Sequence, residues 1–207
     1  MSRNPLKLSR RQLFLLAGSA ARVATAAEDF WDAKPATEWS VAEIYQLMNR
    51  SPWAKPVRGF LPPEKHPQTF GSRRLSKAPL PESGPQGVVT WESSQPIRDA
   101  RKTPLPSVFT DCYVIGVDGV PLGGASTDKL KMTAALHSRG RVRWTVRPQV
   151  VYELVRTSTV YAIGFSRAAA PIGLGKEEIM FEAQFERWLV ESKFEPQKML
   201  YHGQLAV

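Results

Sequence analysis

The sequence predicts a single α+β domain built mainly on an antiparallel β-sheet. The first observation is that apolar residues over roughly the last sixty positions alternate in short runs separated by turns, which is typical of consecutive antiparallel strands. The second is that helical periodicity occurs only in short stretches. The third is the composition, with 43% hydrophobic and 23% charged residues, which is ordinary for a globular chain. We expect about five to seven strands, including a C-terminal meander, and about two or three short helices.

The expected strands follow from the alternation of apolar side chains toward one face of a sheet. A turn at Asp118-Gly119 ends the most apolar of them. The segments are 88–91, 112–117, 150–154, 160–164, 180–185, 188–194 and 199–205.

The first helix is expected to begin at Ser40, because Ser40 and Glu43 have the spacing of a capping box. It should end near Arg50, since Pro52 disfavours helical geometry in the residue before it. A second short helix is expected from Ser94 to Ala100, with proline in its first turn. The apolar stripe that gives the first helix its period comprises Ile44, Leu47 and Met48.

Segment 127–137 is ambiguous. Ser126 or Thr127 could cap a helix that Gly140 ends, and this is the interpretation we prefer. The alternative is a strand, because the apolar residues also alternate at Leu130, Met132, Ala134 and Leu136.

Residues 1–27 have the layout of a bacterial export signal: a positive start, a short apolar run and small residues before a cleavage site. Ser9-Arg10-Arg11-Gln12-Leu13-Phe14 fits the twin-arginine pattern of a polar residue, two arginines, any residue and two apolar residues. The alternative is an amphipathic N-terminal helix of the folded domain. The signal predicts a soluble periplasmic or secreted protein.

No segment predicts a membrane span, because the apolar run of the signal is far shorter than the ~20 residues that a bilayer requires. Cys112 is the only cysteine, so the chain has no lipidation site at the cleavage point and no internal disulfide.

The charge pattern argues against nucleic acid as a partner. The full chain has a formal charge of +9, but residues 1–26 hold five basic residues and no acidic one, so the processed chain is at +4. Segment 51–87 alone accounts for a balance of +4. Aromatic and basic residues are not interleaved on one element as a nucleic-acid surface requires.

The processed chain divides into three parts. Residues 28–53 form an aromatic-rich segment and the first helix, and residues 87–207 form the α+β core. Between them, residues 54–86 hold seven prolines and should be a long basic loop. A loop of this length could instead be an arm that docks a partner or an anionic surface.

Several short stretches resemble a family of uncharacterised exported acidobacterial proteins. They are Glu38-Trp39-Ser40, Ser51-Pro52-Trp53-Ala54, Trp91-Glu92-Ser93, Phe165-Ser166-Arg167 with Ile172 and Phe181-Glu182-Ala183, and Lys198-Met199-Leu200-Tyr201-His202-Gly203-Gln204-Leu205. The resemblance spans most of the processed chain. It implies one exported domain, and it carries no activity, ligand or catalytic residue.

The candidate chemistry is sparse. The histidines His66, His137 and His202 stand alone, without metal-ligand spacing, and no metal or cofactor is expected. The glycines between 116 and 124 match a turn better than a phosphate-binding loop.

Two arrangements could support catalysis. Cys112 could be a nucleophile beside His137 or His202, although a small buried hydrophobic residue is the preferred interpretation. Glu92 and Asp99 could pair as acid and base, but a solvated charged face is preferred for them.

The tryptophans are expected in the core. We expect Trp91 and Trp188 to be buried, and Trp31, Trp39 and Trp53 to pin the first helix onto the sheet.

The sequence therefore favours a non-enzymatic binding or envelope-interaction domain whose partner is an unidentified protein or another envelope component. The alternative is a small exported enzyme, hydrolase-like, that uses dispersed acids or Cys112. No catalytic residue and no oligomeric state are assigned.

Overall fold

A computed structural model describes residues 29–62, 84–121, 126–140, 143–156 and 158–207. The expected export signal at 1–27, the middle of the proline-rich segment at 63–83 and the glycines at 123 and 124 lie outside the described residues.

The described residues form four α-helices and eleven strands, and this confirms the α+β class with a predominance of antiparallel sheet. The helices are α1 (Phe30–Ala33), α2 (Val41–Asn49), α3 (Gln95–Arg101) and α4 (Thr127–Thr133). The strands are β1 (Ala54–Arg58), β2 (Gln86–Trp91), β3 (Cys112–Asp118), β4 (Ala135–Arg139), β5 (Thr145–Val146), β6 (Val150–Val155), β7 (Thr159–Ser166), β8 (Glu178–Phe185), β9 (Trp188–Phe194), β10 (Leu200–Tyr201) and β11 (Gln204–Leu205).

The strands are divided between two main sheets and a small hairpin. One sheet has the order β1-β2-β3-β7-β6, the second has the order β5-β4-β8-β9, and β10 pairs with β11. The late strands therefore form two hairpins, β6–β7 and β8–β9, in different sheets, and they do not continue as one meander. The division arises because β7 pairs with β3 while β8 pairs with β4, so the chain crosses between sheets over residues 167–177.

The two main sheets share one core, which is filled by aromatic pairs that reach from one sheet to the other. The ring of Trp91 in β2 lies edge-on to Phe194 in β9, with 5.1 Å between centroids. Phe165 in β7 meets Phe181 in β8 in the same manner at 6.3 Å. Such edge-to-face pairs stabilise a core beyond the area they bury, by about 0.5–1.5 kcal/mol each.

The first five residues of the proline-rich segment, Ala54–Arg58, form strand β1, contrary to the loop expected over 54–86. β1 pairs with β2 through five residues, and Pro56 lies opposite Val88. A proline is tolerated here because β1 is the last strand of its sheet, so a missing N–H need not break the ladder. Past β1, the backbone of Phe60 pairs with that of Leu189 and links the first sheet to β9 of the second.

The capping-box prediction for α2 is confirmed. The Ser40 hydroxyl accepts from the Glu43 N–H, and the Glu43 carboxylate accepts from the Ser40 N–H at 2.8 Å. Segment 127–137 is partly helix and partly strand: α4 begins after the cap Ser126 and ends at Thr133, and β4 follows at once. The alternating apolar residues that indicated a strand lie in a strand only in the second half of this segment.

The tryptophan predictions are confirmed for Trp91 but wrong for Trp188. Trp91 is fully buried between the sheets. Trp188, at the start of the edge strand β9, is half-buried, and the Arg187 guanidinium lies over its ring at 4.7 Å. The three early tryptophans, Trp31, Trp39 and Trp53, belong to the main core, as expected.

The outer face of the five-stranded sheet is covered by the chain that runs from Glu92 to Thr110. Because strand residues alternate in direction, the odd-numbered residues of β3 face the shared core, while Cys112, Val114 and Gly116 face outward. Helix α3 and the segment after it lie over this outer face, where they form one wall of the candidate site.

Candidate functional site

A cleft with a volume of about 750 Å³ lies at one side of the described fold. Its walls are formed by the start of α3, by segment 104–110, by Cys112 and Arg167, and by residues 201–207 at the end of the sequence. The volume lies within the range of about 300–1,000 Å³ that is typical of sites for small molecules.

The segment 104–110 is held on the sheet by Phe109. Its ring lies where a side chain at Gly164 of β7 would have to lie, since a Cβ there would be 2.8 Å from Phe109 Cδ1. Phe109 also meets Tyr152 of β6 edge-on, with 6.4 Å between the centroids. Glycine at 164 thus makes room for the ring, and Leu105 packs beside it to complete an apolar wall.

The opposite wall is the hairpin β10–β11. Its turn residues His202 and Gly203 both have positive φ, 49° and 74°, as a tight two-residue hairpin turn requires. The His202 N–H donates to Asp32 Oδ1 at 2.6 Å, and Trp53 Nε1 donates to the Ala206 carbonyl at 2.7 Å. The N-terminal part of the fold therefore fixes the position of this wall.

Arg167 is the most firmly held charged side chain of the cleft. Its Nε donates to the Cys112 carbonyl at 3.2 Å, and its Nη2 donates to the Val207 oxygen at 2.9 Å. Its guanidinium also lies 4.4 Å from the centre of the Tyr113 ring, in a cation–π contact. These contacts fix the orientation of a cation at the wall of the cleft.

The start of α3 provides the second cation. Arg98 is exposed and its Nη2 donates to Gln95 Oε1, while Gln95 Nε2 donates to Asp99 Oδ1 at 2.6 Å. Asp99 also accepts from the Tyr201 hydroxyl at 3.2 Å. Burial and the neighbouring Asp99 raise the pKa of Tyr201 to about 12, so this hydroxyl stays protonated as a donor.

Cys112 lies in the cleft wall but has the properties of a structural residue. The thiol is buried and contacts Gln149 Oε1 at 3.8 Å. Burial, with a smaller contribution from Asp111, raises the pKa of Cys112, which disfavours the thiolate that a nucleophile needs. Although His202 lines the same cleft, among the described contacts no hydrogen bond joins it to Cys112.

His202 and His137 are separately placed. The His202 ring lies against the Tyr201 ring, with 4.1 Å between the centroids and a 44° angle between the planes, and its Nδ1 lies 4.0 Å from Asp32 Oδ1. His137 lies within β4, opposite Met180. His66 lies outside the described residues. In the part of the chain that the structure describes, no three histidine, cysteine, aspartate or glutamate side chains come together as a metal site would require.

Glu92 and Asp99 do not form an acid–base pair, and the expectation that Glu92 lies on a solvated face is wrong. Glu92 is only 1% exposed and makes ion pairs with Arg101 at 2.5 Å and with Arg156 at 3.3 Å. Burial lowers the pKa of Arg101, and the Glu92 carboxylate opposes that effect. The carboxylate is thus a buried counterion for two guanidinium groups, and Asp99 has partners of its own.

A second surface lies on helix α2, away from the cleft. Val41 is 86% exposed and Tyr45 is 68% exposed. The neighbouring exposed residues Ala42 and Gln46 are uncharged as well. Two shallow hollows of about 350 and 440 Å³ flank this helix.

Sequence reasoning missed the residues that give the cleft its charge. The sequence places Arg98 on a charged helix face and Arg167 in a stretch that carries the family resemblance. It places Tyr201 in another such stretch and in the last expected strand. Alternation and spacing give no indication that these three residues line one cleft, because their placement is set by the tertiary fold.

A comparison with protein-family models, with curated proteins and with solved structures found no match for this chain. Among the described helices, none is long and apolar enough to cross a membrane.

Proposed function

We propose that this protein is an exported, non-enzymatic binding protein that holds a small molecule in the cleft between α3, segment 104–110 and the β10–β11 hairpin. The observation that carries the proposal is the cleft itself, about 750 Å³ in volume, with an apolar wall around Leu105 and Phe109. Sites for small molecules combine such apolar walls with a few converging polar groups.

The chemistry of the cleft favours binding over catalysis. A nucleophilic cysteine requires a thiolate and a base within hydrogen-bond reach. Burial raises the pKa of Cys112 instead, and the His202 ring is engaged with Tyr201. The polar groups here are hydrogen-bond donors held in place, which suits recognition of a ligand.

On the basis of the signal expected at residues 1–27, we propose that the protein is exported by the twin-arginine route to the periplasm or beyond. That route carries folded proteins, so the cleft would already be formed, and able to hold a ligand, during export. The resemblance to exported acidobacterial proteins is consistent with this location but adds no ligand.

To test the binding proposal, the processed protein is purified from its own cell envelope under native conditions, and its mass is measured by native mass spectrometry. We expect a fraction of the protein to carry additional mass that organic solvent releases. The Ser107→Trp variant should lose that mass, because Ser107 is exposed and lines the cleft, where an indole would fill space.

Thr37→Trp is the matched control, since Thr37 is also exposed on a short 3-10 turn but lies outside the cleft. Equal added mass in both variants, or none in the unaltered protein, would contradict binding in the cleft.

A hydrolase-like enzyme is the second candidate, and the observation that favours it is that Cys112 and His202 line the same cleft. Replacement of Cys112 by alanine separates the two proposals. An enzyme would lose turnover of a chromogenic ester completely, whereas a binding protein shows no such turnover in either form.

A protein or envelope partner would bind on the exposed face of α2. The exposed face there carries Val41 and Tyr45, with the uncharged and exposed Ala42 and Gln46 beside them. Tyr45→Glu should reduce co-purification of such a partner from the envelope, while leaving the ligand of the cleft in place.

A further inference from the structure

We propose that the ligand of the cleft is an amphipathic anion: a carboxylate, phosphate or sulfonate group attached to an apolar body. The anionic group is held by Arg167 and Arg98, and the apolar body lies against Leu105 and Phe109. This inference rests on the proposed binding function and names the chemical class of its ligand.

The first argument is the charge of the lining. Among the described residues that line the cleft, the charged side chains are Arg98 and Arg167, and neither aspartate nor glutamate is present. Asp99, beside the lining residues Gln95 and Tyr201, already accepts from both of them. Two cationic side chains in the lining of a cleft attract an anionic ligand.

The second argument is the geometry of Arg167. The Cys112 carbonyl, the Val207 oxygen and the Tyr113 ring fix the guanidinium from three sides. Its Nη1 donates to no described residue, so two N–H groups remain for a ligand. Because the side chain is already immobilised, binding costs little additional conformational entropy.

The third argument is the apolar part of the cleft lining. Leu105 and Phe109 pack on the outer face of the sheet and still line the cleft, and Leu205 lines it from the hairpin. A simple inorganic anion would leave this apolar surface in contact with water. A ligand with an apolar body buries it, at about 25 cal/mol for each Å² removed from water.

The test uses two fluorescent probes that differ in one group. Anilinonaphthalene sulfonate carries a sulfonate, and phenylnaphthylamine has the same rings without it. Both are titrated into the folded, processed protein. We expect the sulfonate to bind at least about tenfold more tightly, since a charge-assisted hydrogen bond contributes about 1.5–3 kcal/mol.

Variants assign the difference to the arginines. Arg98→Gln should lower the affinity for the sulfonate probe about tenfold and leave the affinity for the neutral probe unchanged. Arg98 is exposed, so the variant should fold normally. Arg50→Gln is the control, because Arg50 is also exposed and lies outside the cleft. Arg167→Lys keeps the charge but removes the planar guanidinium with its fixed donors, and it should also lower the affinity for the sulfonate probe.

The outcomes separate the inference from the proposed function. Equal affinity for both probes, unaffected by Arg98→Gln but reduced by Ser107→Trp, would overturn the anionic class and leave the binding function standing. Binding of neither probe would overturn both. Competition of the bound sulfonate by decanoate or by decyl phosphate identifies which anionic group the cleft prefers.

Discussion

The Glu92 carboxylate and the Arg101 guanidinium form a buried ion pair, 2.5 Å apart, on the outer face of the five-stranded sheet. Arg156 completes the cluster from β6's end, 3.3 Å from the other carboxylate oxygen. The space for this carboxylate exists because β3 has a glycine, Gly116, beneath it. The cluster connects α3, which also forms part of the cleft, to the sheet.

Glu92→Gln should be strongly destabilising. It removes the only carboxylate that the described structure pairs with these two guanidinium groups, and uncompensated buried charges typically cost about 3–5 kcal/mol. The measurement is the free energy of unfolding in urea. Glu191→Gln, at an exposed position of β9, is the control and should change it by less than about 0.5 kcal/mol. A loss below about 1 kcal/mol for Glu92→Gln would show that water already compensates the pair.

Gly116→Ala should also destabilise the fold. The new Cβ would lie 2.7 Å from both Cγ and Oε1 of Glu92, and Glu92 cannot easily move because two arginines hold it. Overpacking of this kind costs about 1–3 kcal/mol. At Gly173 a Cβ meets nothing within 4 Å, so Gly173→Ala should be nearly neutral in the same unfolding assay. Equal effects at the two sites would refute the close packing over β3.

Helix α2 could be predicted from the sequence and strand β1 could not, and the difference has a physical explanation. The α2 cap was predictable because Ser40 and Glu43 are three residues apart and the motif is complete within one turn. Strand β1 was missed because its partner β2 begins about thirty residues later, while the prolines nearby indicate a loop. Local signals identify local structure.

The same limit applies to the candidate site. Glu92 looked solvated because its cations lie nine and 64 residues away in sequence. The cleft combines α3, residue 167 and the last hairpin, whose proximity is set by the tertiary fold. Sequence patterns predicted many of the strands but not which sheet each strand would join, so they could not assemble this site.

The contribution of Glu43 to the stability of the fold at α2 should be lost at acid pH. Its pKa is lowered from 4.5 to about 2, first by the hydrogen bond from Lys34 and then by those from Ser40. A carboxylate with a depressed folded-state pKa stabilises the fold above its unfolded pKa, and the contribution is lost as the pH falls from about 4.5 through about 2. Glu43→Gln should therefore lower Tm at pH 7 and have little effect near pH 2. A Tm difference that is independent of pH would contradict the assignment.

Cys112 should react slowly. Burial raises its pKa, so few molecules hold a thiolate at neutral pH. Alkylation by iodoacetamide at pH 7 should be at least about tenfold slower for the folded protein than for the same chain in urea. Fast labelling of the folded protein at pH 7 would contradict a structural role for the Cys112 thiol and would support the enzyme alternative.

Export is tested independently of binding. Replacement of both Arg10 and Arg11 by lysine should leave full-length precursor in the cytoplasm, because the twin-arginine route recognises the arginine pair and not charge alone. Cell fractionation and the mass of the protein report the result. Normal processing of the double variant would exclude this route while leaving other routes of export open.

The central claim is that the cleft is the binding site, and amide NMR spectra of the folded protein test it directly. Titration with anilinonaphthalene sulfonate should shift the amide signals of Arg167, His202 and Leu205, at the two walls, by more than those of the α2 residues Val41 and Tyr45. Shifts confined to α2, or spread evenly over the protein, would contradict the account.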